Sequence, residues 1–433
     1  MIRIIILFAA AIAGIAATCP NPPRPLLSPQ IPEDVCIPDP FTGLTINFFD
    51  DYSWRAFTAI VWPAARNKRG VADAARHIGA AGPRVFETFK SLWEVFHEDG
   101  SAPTNAFNDY DAPAANACQA ATKFGDVVLA ASKPYGDIGQ AGIGELDGPL
   151  VAQNGRYVRY QTLYNEVAYD FIVRNRYYLR DQLPAVPSPR PDAPVVQFPV
   201  GSIAVKAAWL DVRGVAKALL PRIYKRTAVV RDPDTGTCSL QTVGLIGLHI
   251  AKKTASRPQW IWSSFEQVDT APLFAGTVGD FLLNDGTPEP MPAENPIPLM
   301  PLPKQPVKPF NVVRSFATSI HPNTHAANSA WRDLLKDTIW RNYRVVVTQW
   351  PLQPGNQALP VPAKQTGDII NTFPGTGPGA TADSAFANLT METFDQHRIE
   401  LGCMSCHNRA RLSADFMWSV LDHAWPARLA PAR

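Results

Sequence analysis

Beyond its first eighteen residues the chain has no apolar run approaching the ~20 residues that a membrane-spanning helix needs, and no block of like charge. Lysine plus arginine number 40 and aspartate plus glutamate 38, a net charge of +2 with the histidines neutral. Such a balance leaves no electrostatic footprint for nucleic acid or for an anionic membrane surface. The common catalytic signatures are missing as well. There is no Gly-x-Ser-x-Gly, no His-Glu-x-x-His, and no Gly-x-Gly-x-x-Gly opening a helix after a strand. The glycine-rich run Gly139 to Gly148 lacks the lysine and hydroxyl of a phosphate loop. Sulfur and imidazole are scarce: six cysteines, six methionines and eight histidines in 433 residues.

Proline, by contrast, is abundant. Its 42 residues are roughly twice the average usage, which argues for loops and edge strands and against a helical bundle. With 46% hydrophobic residues and 11 tryptophans the chain can still bury a large core. The opening MIRIIILFAAAIAGIAAT has one positive charge, an apolar stretch and small residues at its end, the pattern of an exported protein's signal peptide over residues 1–18. Export makes disulfides expected among Cys19, Cys36, Cys118 and Cys238, with connectivity left open. Cys19 follows Ala-Ala-Thr, so lipidation at that residue is the alternative to a disulfide, and the only route to a membrane.

Periodicity predicts helices over Asp51–Trp62, Gly82–Phe96 and Tyr157–Leu179. Then the pattern turns to strand in SIAVKAAWL, RIYKRTAVVRD, SLQTVGLIGLHIAKKT and QWIWSSFEQVD. These predict a β-rich core at about residues 200–270, within an α+β region spanning 19–287. Nine prolines in residues 288–309 make an extended connection. The C-terminal region, 310–433, is predicted to hold a helix over Ala327–Trp340, the strand NYRVVVTQWP, a Pro/Gly-rich loop, and helices over Ser384–Leu401 and Ser413–Trp425. The expected fold is therefore α+β, with a central, largely antiparallel sheet, helices at both ends and long Pro-rich loops.

One stretch carries chemistry: LGCMSCHNRA, Leu401 to Ala410, with a single Cys-x-x-Cys-His. Three chemistries use such spacing. Two thiols at i and i+3 can take covalent haem c, with the adjacent histidine below the iron. Zinc could draw on His397, Cys403, Cys406 and His407, although no second Cys-x-x-Cys is present. A redox dithiol belongs after a strand in a βαβ unit, not between two helices.

GCMSCH resembles the attachment site of c-type cytochromes, which places Cys403 and Cys406 at the thioethers and His407 as proximal ligand. The wider chain, through WRAFTAIVWP, VFETFKSLWEVF, GLHIAKKT, RPQWIWSSFEQVD and NYRVVVTQWP, is similar to a group of exported bacterial proteins with one c-type haem. The resemblance implies one covalent haem c, iron, and a periplasmic or secreted location. Arg409 and Arg411 are then candidate propionate partners. Small cytochrome c domains have the motif near their start and the distal methionine well after it, whereas here 26 residues follow His407. A sixth ligand is thus expected from upstream: His249 in its apolar strand, Met391, His321 or His325, with His397 close in sequence to the motif. Electron transfer with a redox partner protein is the expected role. A haem enzyme with an open distal site, or a haem-bearing subunit of a larger electron-transfer complex, is the alternative.

Overall fold

A computed structural model describes residues 19–38, 45–111, 116–120, 123–129, 137–140, 149–184, 196–232, 235–274, 277–287, 302–314, 320–350, 388–396, 407 and 410–426. In chain order these hold helix α1 (Thr45–Ile60), strand β1 (Lys90–Ser91), helix α2 (Leu92–Val95), strands β2 (Val127–Leu129) and β3 (Val158–Tyr164), and helix α3 (Glu166–Arg174). Strands β4 (Ile203–Asp211), β5 (Lys225–Arg231), β6 (Cys238–Lys252) and β7 (Ile261–Gln267) follow. Helix α4 (Pro322–Leu334), strand β8 (Tyr343–Gln349) and the short helices α5 (Arg411–Ala414) and α6 (Trp418–His423) complete the set. No helix among the described residues is long and apolar enough to cross a membrane.

All eight strands join one curled sheet, in the order β1-β3-β4-β6-β5-β2, with β7 on β6 and β8 on β7. Every pairing is antiparallel except β2 with β5. The 15-residue β6 organises the rest. Its residues 243–252 pair with β4; along its opposite edge 238–244 pair with β5 and 247–252 with β7. The expected sheet is present, yet it runs beyond residues 200–270 in both directions. Because β8 pairs with β7, the proline-rich connection does not divide the sheet.

Alternation sends side chains to two faces. On the first, Phe265 packs on Trp54 and Phe57 of α1, Trp209, Leu248 and Ile250 belong to the same buried cluster, and Trp54 stacks on Trp331 of α4 at 5.8 Å. Ser53 of α1 reaches Ser263 and Thr348 at 2.7 Å each. The second face carries Tyr160, Lys206, Gly247, His249, Trp262 and Glu266, as the register requires. A β-bulge determines this arrangement. Trp209 pairs with Leu245 but Ala208 pairs with Gly247, so Ile246 is an extra residue in β6. It shifts the alternation by one, and His249 lands on the second face beside Lys206 rather than on the α1 side.

Four predicted helices differ. Gly82–Phe96 forms a 3-10 turn, β1 and the single turn of α2. The reason is polar: Lys90 is fully buried and bonds Thr104 Oγ1, Asp109 O and Asp111 Oδ2, while Glu94 pairs with Arg69 at 2.7 Å. Satisfying buried charges overrides the aromatic period. Tyr157–Leu179 splits into β3 and α3 at Asn165, whose side chain caps α3 through Ala168 N and also bonds Ile203 N. Ser413–Trp425 is interrupted at Asp415 and Phe416, with φ of 48° and 74°. Of the predicted Ser384–Leu401 helix, the described portion is turns and one 3-10 turn, Thr393–Asp395.

Candidate functional site

The second face of the sheet is covered in two places. Residues 388–396 lie over its middle: Leu389 N donates to Glu266 Oε1 at 3.1 Å, and Thr390 O accepts from Tyr160 Oη at 2.8 Å. Gly247 permits this approach, since a Cβ there would stand 3.0 Å from Thr390 Cβ. The C-terminal segment covers the neighbouring part, where Tyr164 bonds Ser419 and Phe416 packs near Trp262. Along β6, Gly247 thus lies under the first cover, and Ala251, the partner of Trp262, beside the second. His249 stands between them.

His407 reaches the same place. Its ring centroid lies 4.5 Å from that of Trp262, and its Nδ1 is 2.7 Å from the carbonyl oxygen of Phe416. A carbonyl only accepts, so the proton is on Nδ1 and Nε2 keeps its lone pair. The break before α6 aims this carbonyl. Asp415 holds the left-handed turn by accepting from Lys253 Nζ at 2.6 Å and from Phe198 N at 2.8 Å. Burial, with some help from Lys206, pushes the His407 pKa down to about 4 against the lift from the Phe416 bond. At neutral pH the imidazole is uncharged and able to ligate a metal.

His249 is held neutral more strongly. Burial, then the charges of Lys206 and His407, push its pKa down to about 3. The two histidines are therefore electrostatic neighbours. Nε2 of His249 is buried with no hydrogen-bond partner among the described residues, and Glu392 Oε2 is 3.7 Å away, beyond hydrogen-bond reach. A buried nitrogen left unpaired costs about 1–3 kcal/mol. Glu392 itself accepts from Asn388 N at 3.0 Å, and the Lys206 ammonium lies 4.9 Å over the Tyr160 ring.

Met391 is also at this site but differently disposed. Fully buried, it packs in the cluster of Leu389, Phe394 and Phe310, and its methyl lies against Gly247. His321 and His325 sit elsewhere, on α4. His321 is its N-cap, Nδ1 accepting from Asn323 N at 3.1 Å, and His325 faces the charges of Arg314 and Arg344. Cys403, Cys406, Arg409 and His397 lie outside the described residues, as does the side chain of Arg411. Among the described residues no three His, Cys, Asp or Glu side chains form a metal-binding group. Lys206, Trp262 and Glu392 were missed by sequence reasoning. The period-2 pattern of β4, β6 and β7 would have found the first two once register was known.

Another constellation invites comparison with a hydrolase. His97 Nδ1 is 2.9 Å from Ser101 Oγ, and its Nε2 is 3.2 Å from Asp111 Oδ1. Yet Ser101 Oγ donates to Asp99 Oδ1 at 2.6 Å, which competes with His97 for the hydroxyl proton. The group closes a loop at the end of the buried Arg69–Glu94–Lys90–Asp111 ion network.

The remaining cysteines pair as Cys19–Cys36 and Cys118–Cys238. A Cys19 sulfur bonded to Cys36 has no valence left for a lipid thioether, so the two fates of that residue exclude each other. No family model, no curated protein and no solved structure matches the chain.

Proposed function

We propose that this chain is an exported c-type cytochrome that carries one haem and exchanges electrons with a redox partner protein. Cys403 and Cys406 would hold the haem through thioethers and His407 would bind its iron. The observation that carries the reading is the state of His407: Nδ1 is tied to the Phe416 carbonyl, and burial keeps the ring neutral. Metal-bound histidines are generally oriented in this way by a hydrogen bond on the other nitrogen. His249, an electrostatic neighbour of His407, has a buried Nε2 with no hydrogen-bond partner among the described residues, which suits a metal ligand, and Trp262 supplies an apolar wall.

When bound, haem supplies a one-electron couple whose potential depends on axial ligands, hydrogen bonding and burial. The chain's own contribution is to orient His407 through the Asp415–Phe416 turn, to keep both imidazoles uncharged, and to limit water with residues 388–396. Lys206 adds positive potential, which favours the reduced state of a neighbouring couple. Two disulfides accord with an oxidising compartment outside the cytoplasm, and so with residues 1–18 acting as an export signal.

The test is production with its own leader in a bacterium that matures c-type haem, followed by a pyridine haemochrome assay and intact mass. One covalent haem per chain is expected, and Cys403→Ala with Cys406→Ala should abolish it. A mature protein that contains zinc, or two free thiols and no haem, refutes the proposal.

A further inference from the structure

We propose that His249 is the second axial ligand, so that the iron is coordinated by two histidines; this inference rests on the haem c reading. Four observations converge on it. The Ile246 bulge turns His249 to the face on which His407 lies. The interval His249 occupies is bounded by the Thr390 cover over Gly247 and by Trp262, on which His407 rests. Among the described residues its buried Nε2 has no hydrogen-bond partner. Its strand is held on both edges, by β4 and β7, so the imidazole stands on a rigid support.

The competing groups are committed. Glu392 accepts from a backbone N–H, Lys206 lies over Tyr160, and Met391 is buried in the apolar cluster that includes Leu389 and Phe394, its methyl against Gly247. His321 caps α4. Two neutral imidazoles make a closed, low-spin iron with no open position for peroxide or oxygen. The assignment therefore favours the electron carrier over the haem enzyme.

The mature, haem-loaded protein decides the matter by its ferric spectrum. Low-spin iron coupled to two histidine nitrogens is expected from pulsed EPR of protein grown on 15N-histidine. His249→Ala should convert the low-spin signal to high-spin while the pyridine haemochrome still reports one covalent haem, and added imidazole should restore low spin. Met391→Leu should leave the spectrum unchanged. Haem-loaded wild type with a single coupled histidine overturns this assignment alone, and that measurement holds even when His249→Ala does not accumulate. So does a His249→Ala protein that stays low-spin. A protein that matures without haem removes the underlying reading as well.

Discussion

Replacing Asp415 by Asn should destabilise the protein by about 3–5 kcal/mol, the usual result of leaving one buried charge without its partner. Lys253 and Asp415 keep only 3% and 7% of their side-chain surface exposed and meet at 2.6 Å. At that separation and an effective dielectric of ~20 the gross attraction is about 6 kcal/mol. Desolvating two ions costs several kcal/mol each, so the pair as a whole stabilises little while either half alone is expensive. Burial already lifts the Asp415 pKa against the pull of Lys253. Asparagine is chosen because it tolerates the left-handed backbone at this position and can still accept from Phe198 N. Lys253→Met with Asp415→Asn removes both charges and should recover most of the loss. Guanidinium midpoints for the wild type, two singles and the double give the coupling energy directly. A single Asp415→Asn loss under ~1 kcal/mol, the scale of an exposed pair, or a double mutant no better than the worse single, would refute the argument.

Gly247→Ala should cost about 1–3 kcal/mol, because its Cβ would crowd Thr390 Cβ at 3.0 Å and Oγ1 more closely. Thr390→Ala in that background removes the nearer atom and should restore part of the stability, as a denaturant titration would show. Opening Cys118–Cys238, which spans 120 residues, should lower stability by ~5 kcal/mol against ~3 for the 17-residue Cys19–Cys36 loop on loop-entropy grounds. Paired Cys→Ser variants giving the reverse order would overturn that account. Asp50 is fully buried, and desolvation raises its pKa from 3.8 to about 6 despite bonds from Thr324 and Thr348. The folded state therefore holds a proton that the unfolded state releases between those values, and stability falls as pH rises from 3.8 to 6. Asp50→Asn should be more stable than wild type by ~3 kcal/mol at pH 7 and close to it at pH 4. Equal differences at both pH values would contradict this.

The strands β4 to β8 were legible because β-branched and aromatic residues dominate them, and the Cys-x-x-Cys-His stood out by spacing. What could not be read was anything decided by distant partners. Gly82–Phe96 reads as one helix in sequence, and only Asp111 and Arg69, brought in from elsewhere to Lys90 and Glu94, explain why that helix stops short. Asn165 divides one apparent helix because its side chain serves Ile203 as well as α3. His249 was a candidate through its apolar setting, but its nearness to His407 depends on pairings that no local pattern contains. His321 turned out to be a cap, a role that His-Pro before a helix does signal.

The Ile246 bulge has a genetic consequence. β6 holds one residue more than β4 between the Trp209–Leu245 and Ala208–Gly247 pairs, and Ile246 is that residue. Deleting its codon would place Gly247 directly after Leu245, restore strict alternation and keep Lys206 opposite His249, so the imidazole would stay on the His407 side. Deleting the Leu248 codon instead would bring His249 directly after Gly247 and direct the imidazole into the α1 packing layer. The site therefore tolerates the loss of one codon and not that of another two places away, a distinction that a substitution scan alone would never reveal.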